Sequence, residues 1–211
     1  MSRSLRPAVV AVMAMAALLL APAARAGQPV TQTLNPPPPS FESCKSVGSG
    51  TICFGARTLV VNDDTGSVCG SGADAFDIVL SATVDQTASR TYNLDGNMTQ
   101  RFIQDTYRSG RFVNSVTGAS LAFTGHDTVT DVLAIPAEFD SATETLTGEI
   151  AVTLPHVGTV YLTAGRIVTA VADGTLDFQA GPGALNEWFV NGGIPDAPSE
   201  LCAALGSASH G

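Results

Sequence analysis

The sequence predicts an all-β domain: an antiparallel β-barrel of about eight to nine strands with a short C-terminal helix, or alternatively a two-sheet β-sandwich. Three observations lead there. Apolar residues recur at every second position in Phe76, Ile78, Leu80, Ala82 and Val84, the period of a strand with one buried face. Asp95-Gly96 and Asp173-Gly174 each stand between two extended-looking runs, and such dipeptides take the positive φ angles of a tight hairpin. No helical periodicity of useful length lies between Thr51 and Gln179.

Residues 1–26 read as a cleavable secretory signal peptide. Arg3 and Arg6 give a positive start, Ala8 to Ala21 supply 14 apolar residues, and Ala24-Arg25-Ala26 puts small residues at the two positions a signal peptidase reads. A bilayer core needs about 20 apolar residues. Pro22 and Arg25 close this run short of that. The mature chain is therefore expected from Gly27 onward, secreted or at the cell envelope, with no stable membrane insertion after cleavage. Residues 27–42 are expected as a Pro-rich linker, because Asn35 is followed by Pro36 to Pro39, a composition that favours an extended spacer. Residues 43–205 read as a single β domain and 206–211 as a disordered tail.

Strands are expected at 51–61, 74–84, 89–95, 98–108, 119–130, 143–154, 157–164, 166–173 and 175–180. Ile150, Val152 and Leu154 repeat the alternation, as do Val160, Leu162 and Ala164. Consecutive short hairpins from 143 to 180 favour an up-and-down order, and a meander of this length hides its edges best by closing. Beyond Gly181-Pro182-Gly183 the texture changes. Trp188-Phe189-Val190 is the most aromatic cluster, and Asp196 to Leu205 is expected as a short capped helix with Leu201 and Leu205 on one face. Trp188 and Phe189 read as a lid over one end or as a surface stacking on a ligand, against the plainer alternative of packing.

The four cysteines, Cys44, Cys53, Cys69 and Cys202, are an even number in an oxidising compartment, which implies two disulfides. Three connectivities are open. Cys44 with Cys53, closing the Gly48-Ser49-Gly50 loop, and Cys69 with Cys202, tying the C-terminal segment to the body, are preferred. No two cysteines have Cys-x-x-Cys spacing and no His lies near any of them, so no metal site is expected. No cofactor signature occurs either.

Cleavage removes Arg3, Arg6 and Arg25 from the 10 basic residues and none of the 19 acidic ones, taking the formal charge from −9 to −12. So acidic a protein is repelled by nucleic acid and anionic membranes, and nucleic acid is excluded as a partner. Charged residues make up only 14 % of the chain, which suits a smooth Thr-rich β surface.

The best polar constellation is His126, Asp127 and Asp131 on one strand, since a base oriented by a carboxylate is what general acid–base catalysis uses. Adjacent side chains on a strand point to opposite faces, so a solvated strand end is the plainer alternative. Gln104, Asp105, Thr106 and Tyr107 form a second polar run, which either lines a polar lumen or faces solvent. Asn62-Asp63-Asp64-Thr65-Gly66 is rich in oxygen but lacks the spacing of a calcium loop, and reads as a turn. No Gly-x-Ser-x-Gly nucleophile elbow occurs.

Several strings resemble those of a group of secreted actinobacterial proteins with no assigned activity. They are Gly50-Thr51-Ile52-Cys53, Ala75-Phe76-Asp77-Ile78, the run Tyr92 to Thr99, Ala164-Gly165-Arg166 and the run Leu201 to Leu205. The resemblance implies an extracellular or envelope location and carries no site. The run Val157 to Gly165 is also similar to the glycine-punctuated strand of allene-oxide-cyclase and dirigent barrels, which implies a barrel and nothing further.

The expectation is a secreted, disulfide-stabilised binding protein, non-catalytic, whose partner is a small hydrophobic ligand in its lumen or an extracellular partner at its loops. The alternatives are a barrel-type enzyme, isomerase- or cyclase-like, using His126 with Asp127 or Asp131 and drawing on Tyr161 or Arg166, and a structural cell-envelope protein.

Overall fold

The structure is a computed structural model that describes residues 30–154, 158–181 and 199–207. Its strands are β1 (Glu42–Val47), β2 (Gly50–Cys69), β3 (Phe76–Tyr92), β4 (Met98–Asn114), β5 (Ser120–Leu133), β6 (Ala142–Leu154), β7 (Gly158–Ala170) and β8 (Leu176–Ala180), followed by a helix, α1 (Ser199–Ser207). All eight strands pair antiparallel in sequence order as one meander. Strands β1 and β8 are its two edges and do not pair with one another.

The turns follow from local chemistry. Between β3 and β4, Gly96 has a φ of 82° and its N–H donates to the Asn93 carbonyl at 3.1 Å. The Asn93 side chain accepts from the Asp95 and Asn97 N–H groups. Between β7 and β8, Gly174 has a φ of 69°, and the Asp173 carboxylate accepts from the Thr175 N–H at 2.9 Å. Both are positions where a Cβ is disfavoured.

The strands run longer than the sequence pattern indicates. Residues 74–84 and 89–95, expected as two strands, are one strand, β3, and 157–164 and 166–173 are one strand, β7. Expected to end at 61, β2 continues to Cys69. The oxygen-rich stretch read as a turn is a bulge within it, where the register shifts between Asp64 and Val68. There the Thr65 hydroxyl donates to the Ile78 carbonyl at 2.8 Å and the Asp64 carboxylate accepts from the Gly66 N–H. A bulge keeps the strand paired while it bends.

The Pro-rich segment differs from the expected spacer over its described part. Asn35 bridges Asn97, its N–H donating to the Gly96 carbonyl and its carbonyl accepting from the Met98 N–H, each at 2.8 Å. The Pro36 carbonyl accepts from the Tyr92 hydroxyl at 2.9 Å. Proline lacks an N–H but keeps its carbonyl, and the flanking residue supplies the ladder bonds.

Side chains alternate between an outer face and an inner face that holds the core. At one end, Ile78, Val84, Phe112, Phe123, Ile150 and Val152 pack with Leu201 and Leu205 of α1. Leu59 and Val61 of β2 and Val160 of β7 join the same cluster, so the sheet coils until distant strands share one core. The Cys69–Cys202 disulfide fastens α1 there, and Cys44–Cys53 links facing residues of β1 and β2. At the other end, Cys53, Tyr92, Met98, Leu133 and Ala142 form a smaller cluster. Among the described residues no helix is long and apolar enough to cross a membrane.

Candidate functional site

Between the two apolar ends the inner face carries a polar band. Arg57, Gln86, Asp105, Asp127, Gly148 and Gly165 are successive cross-strand partners from β2 to β7. Arg57 Nε donates to Gln86 Oε1 at 2.7 Å, and its guanidinium lies 4.4 Å from the centroid of the Phe41 ring. Gln86 in turn hydrogen-bonds the Asp105 carboxylate. Asp127 stands directly opposite Asp105 and accepts a hydrogen bond from the Tyr107 hydroxyl.

Directly opposed residues have Cβ atoms only about 5 Å apart, and like charges so placed repel. Burial pushes the Asp127 carboxyl up to about 6; the Tyr107 hydrogen bond lowers it and the Asp105 charge raises it further. Burial raises Asp105 as well, against the pull of Gln86 and Arg57. The Tyr107 phenol is held well above its ordinary range, by burial first and the Asp127 charge second. Asp127 is 6 % exposed, yet its Oδ1 has no hydrogen-bond partner, and neither has the buried Oδ1 of Asp105. Unmatched buried acceptors cost about 1–3 kcal/mol each.

Beside Asp127 the band continues as glycine. A Cβ on Gly148 would come within 2.8 Å of the Asp127 Cβ and 2.7 Å of the His126 carbonyl oxygen, so glycine lets Asp127 lean across β6. On Gly165, its partner on β7, a Cβ would come within 2.3 Å of the Ala180 carbonyl oxygen, so the chain itself takes up the space beside each glycine. Apolar side chains border the stretch: Val129, Leu146 and Ile167 on one side, and Ile150 on the other. Thr163, opposite Ile150 and 1 % exposed, also has a hydroxyl without a partner.

A second polar row lies nearer the smaller cluster; it is ion-paired, and it too leaves buried polar atoms without a hydrogen-bond partner, on Glu42, Arg90 and Asp131. Arg90, Arg101, Asp131 and Glu144 are successive partners from β3 to β6. Arg101 Nε donates to Asp131 Oδ2 at 2.6 Å, and Asp131 is fully buried. Arg90 Nη1 approaches Glu42 Oε1 at 3.3 Å, and Arg101 lies 4.6 Å from the Phe139 ring centroid. Glu144 is raised by burial and then by the Asp131 charge.

The candidates read from the sequence divide between the faces. Asp127 and Asp131 are buried on the inner face, separated by Val129. His126 is exposed on the outer face opposite Thr106 and Glu149, so the strand directs the His126 and Asp127 side chains apart. Arg166 is exposed, 5.9 Å from the Phe178 ring centroid. Tyr161 lies on β7 opposite Val152, its side chain outside what the structure describes, and Trp188, Phe189 and His156 lie outside the described residues. Of the polar run on β4, Asp105 and Tyr107 enter the band while Gln104 and Thr106 are exposed. Arg57, Gln86 and the glycine pair were not visible as site residues in the sequence. Their signal was a loss of apolar alternation at 85–88 and at Gly165.

Two depressions lie on the outer face. One, of about 390 Å³, is bordered by Gln104, Thr106, Thr124, His126 and Glu149. The other, of about 490 Å³, is bordered by Cys44, Lys45, Ile52 and Phe54. Among the described residues no group of three His, Cys, Asp or Glu side chains is placed to hold a metal ion. No family model, curated protein or solved structure matches the chain.

Proposed function

We propose that the chain is an exported, disulfide-stabilised binding protein that takes a small amphipathic ligand on the inner face of its sheet. One observation carries the reading. Buried acceptors on Asp105, Asp127 and Thr163 have no partner in the chain, and they sit beside the apolar side chains of Val129, Leu146, Ile150 and Ile167. A ligand with a donor group and an apolar body meets both needs, which is how small-molecule sites combine a few polar groups with apolar walls. Export is supported by the two disulfides, which persist in oxidising compartments, and by the resemblance to secreted actinobacterial proteins. The enzyme alternative built on His126 loses support because that side chain is exposed on the face opposite Asp127.

Titration of the protein with the neutral dye N-phenyl-1-naphthylamine tests this. Saturable enhancement of fluorescence is expected, weakened by Val129→Asn on the inner face and unchanged by Thr128→Asn on the outer one. A failure to saturate, or equal weakening by both variants, would contradict the reading.

A further inference from the structure

Lys45 is the only lysine of the chain, and among the described residues it is the one Lys or Arg side chain that nothing in the chain offsets. Arg57, Arg90, Arg101 and Arg166 hold the partners described above, Arg108 pairs with Asp85, and Arg111 donates to Ser120. Lys45 has no ion pair, hydrogen bond or ring contact. It stands exposed on the outer face of the edge strand β1, at the border of the depression of about 490 Å³. The floor of that depression comes from β2, where Ile52 is directly opposite Lys45 and Phe54, 57 % exposed, is opposite Ser43. Ser89 follows Phe54 in register, and Phe102 beyond it extends the apolar floor onto β4. None of these neighbours carries a charge. The Cys44–Cys53 disulfide lies between the two rows and ties β1 to β2, so the lysine and the floor keep their relative positions.

We infer that this depression binds a free amphiphile with a single carboxylate head, the head pairing with Lys45 beside the Ser43 hydroxyl and the hydrocarbon body covering Ile52 and Phe54. An ammonium offers one compact positive charge and three donors, which one carboxylate meets. A phosphate brings more negative charge than a single lysine offsets and is met more fully by paired arginines. The hydrocarbon body removes the apolar floor from water, which supplies the non-directional part of the affinity. An anionic bilayer would bring many charges up to a chain acidic enough to repel them, so the occupant is a single molecule and not a lipid surface. The site lies on the opposite face of the sheet from the polar band, and neither reading depends on the other.

The test compares 11-(dansylamino)undecanoic acid with its methyl ester, two probes that differ at one carboxylate, by fluorescence titration of the wild-type protein. The acid is expected to bind about fivefold more tightly, the upper range of an exposed charge pair. Lys45→Met keeps an apolar stem and removes the charge, and it is expected to abolish that preference while leaving the affinity for the ester unchanged. Arg166→Met, near the opposite edge of the sheet, is expected to preserve the preference, and Phe54→Ser to weaken both probes by a severalfold factor. Equal affinity of acid and ester for the wild type, which needs no variant to fold, would overturn the inference. A preference that survives Lys45→Met, or one that Arg166→Met removes, would place the head elsewhere and overturn it too. Co-sedimentation with phosphatidylglycerol vesicles that Lys45→Met abolishes would put a lipid surface in the site and overturn the assignment to a free amphiphile. Only the part of the affinity that depends on Lys45 bears on this site, so the outcome is separate from that of the inner-face titration.

Discussion

The apolar end of the inner face and the polar band beside it are built from the same strands and obey opposite rules. At the apolar end Phe112 stacks on Phe123 with ring centroids 4.6 Å apart, Phe123 covers Gly110, and α1 closes the cluster with Leu201 and Leu205 fully buried. That end is organised for stability, because every buried side chain there removes apolar surface from water. The band places opposed carboxylates, raised carboxyl groups and unpartnered oxygens at the same depth, and each of these opposes folding. A chain that can bury Phe112 at one level of β4 and Asp105 at another has the means to fill the band with apolar residues. Its polarity is what the ligand-binding account explains.

Substitutions at the two levels should therefore move stability in opposite directions. The largest effect belongs to the apolar end, where Phe112→Ala should destabilise by about 3–5 kcal/mol in urea unfolding through lost contacts and the cavity left behind. A loss below about 1 kcal/mol would mean that this end is not the core. The double variant Cys69→Ser/Cys202→Ser, which leaves no stray thiol, should cost about 2–5 kcal/mol relative to the wild type by releasing α1 from β2. Here 133 residues separate the two bridged positions, so the unfolded chain gains much freedom.

In the band the sign reverses. Between its ordinary value of 3.8 and its raised value of about 6, the folded Asp127 keeps a proton that the unfolded chain has released. Stability from this group is therefore lost as pH rises through that window. Asp127→Asn should raise stability by about 1–2 kcal/mol at pH 7.5, with the gain shrinking towards zero near pH 4. Asp105, Glu42 and Glu144 are raised by burial too and push the wild-type profile in the same direction. A destabilising Asp127→Asn at pH 7.5 would show that the carboxylate is matched inside the chain and would remove the contrast between the two levels. The smallest effect is expected on the outer face, where His126→Ala should change stability by less than about 0.5 kcal/mol and leave dye binding intact.

The sequence made the fold class legible because the apolar end imposes the alternation from Phe76 to Val84 and because Asp95-Gly96 and Asp173-Gly174 form the turns expected of them. It hid the continuity of β3 and β7 for a connected reason. The apparent breaks at 85–88 and at 165 fall where Gln86 and Gly165 enter the polar band, so the apolar period stops while the backbone pairing continues. The bulge at Asp64 to Val68 masked the length of β2 in the same way. Of the site, Asp105 and Tyr107 were legible as a polar run and Asp127 as part of a triplet with His126. Their convergence was not, because it depends on a register that brings Asp105, Asp127 and Gly148 side by side.

The most direct test of the central claim is an amide chemical-shift titration of the isotopically labelled protein with N-phenyl-1-naphthylamine. The account predicts shifts centred on Gln86, Asp105, Asp127, Gly148 and Gly165, diminishing towards both apolar ends. Shifts centred instead on the outer-face depressions, around Thr106 and His126 or around Lys45 and Phe54, would contradict it.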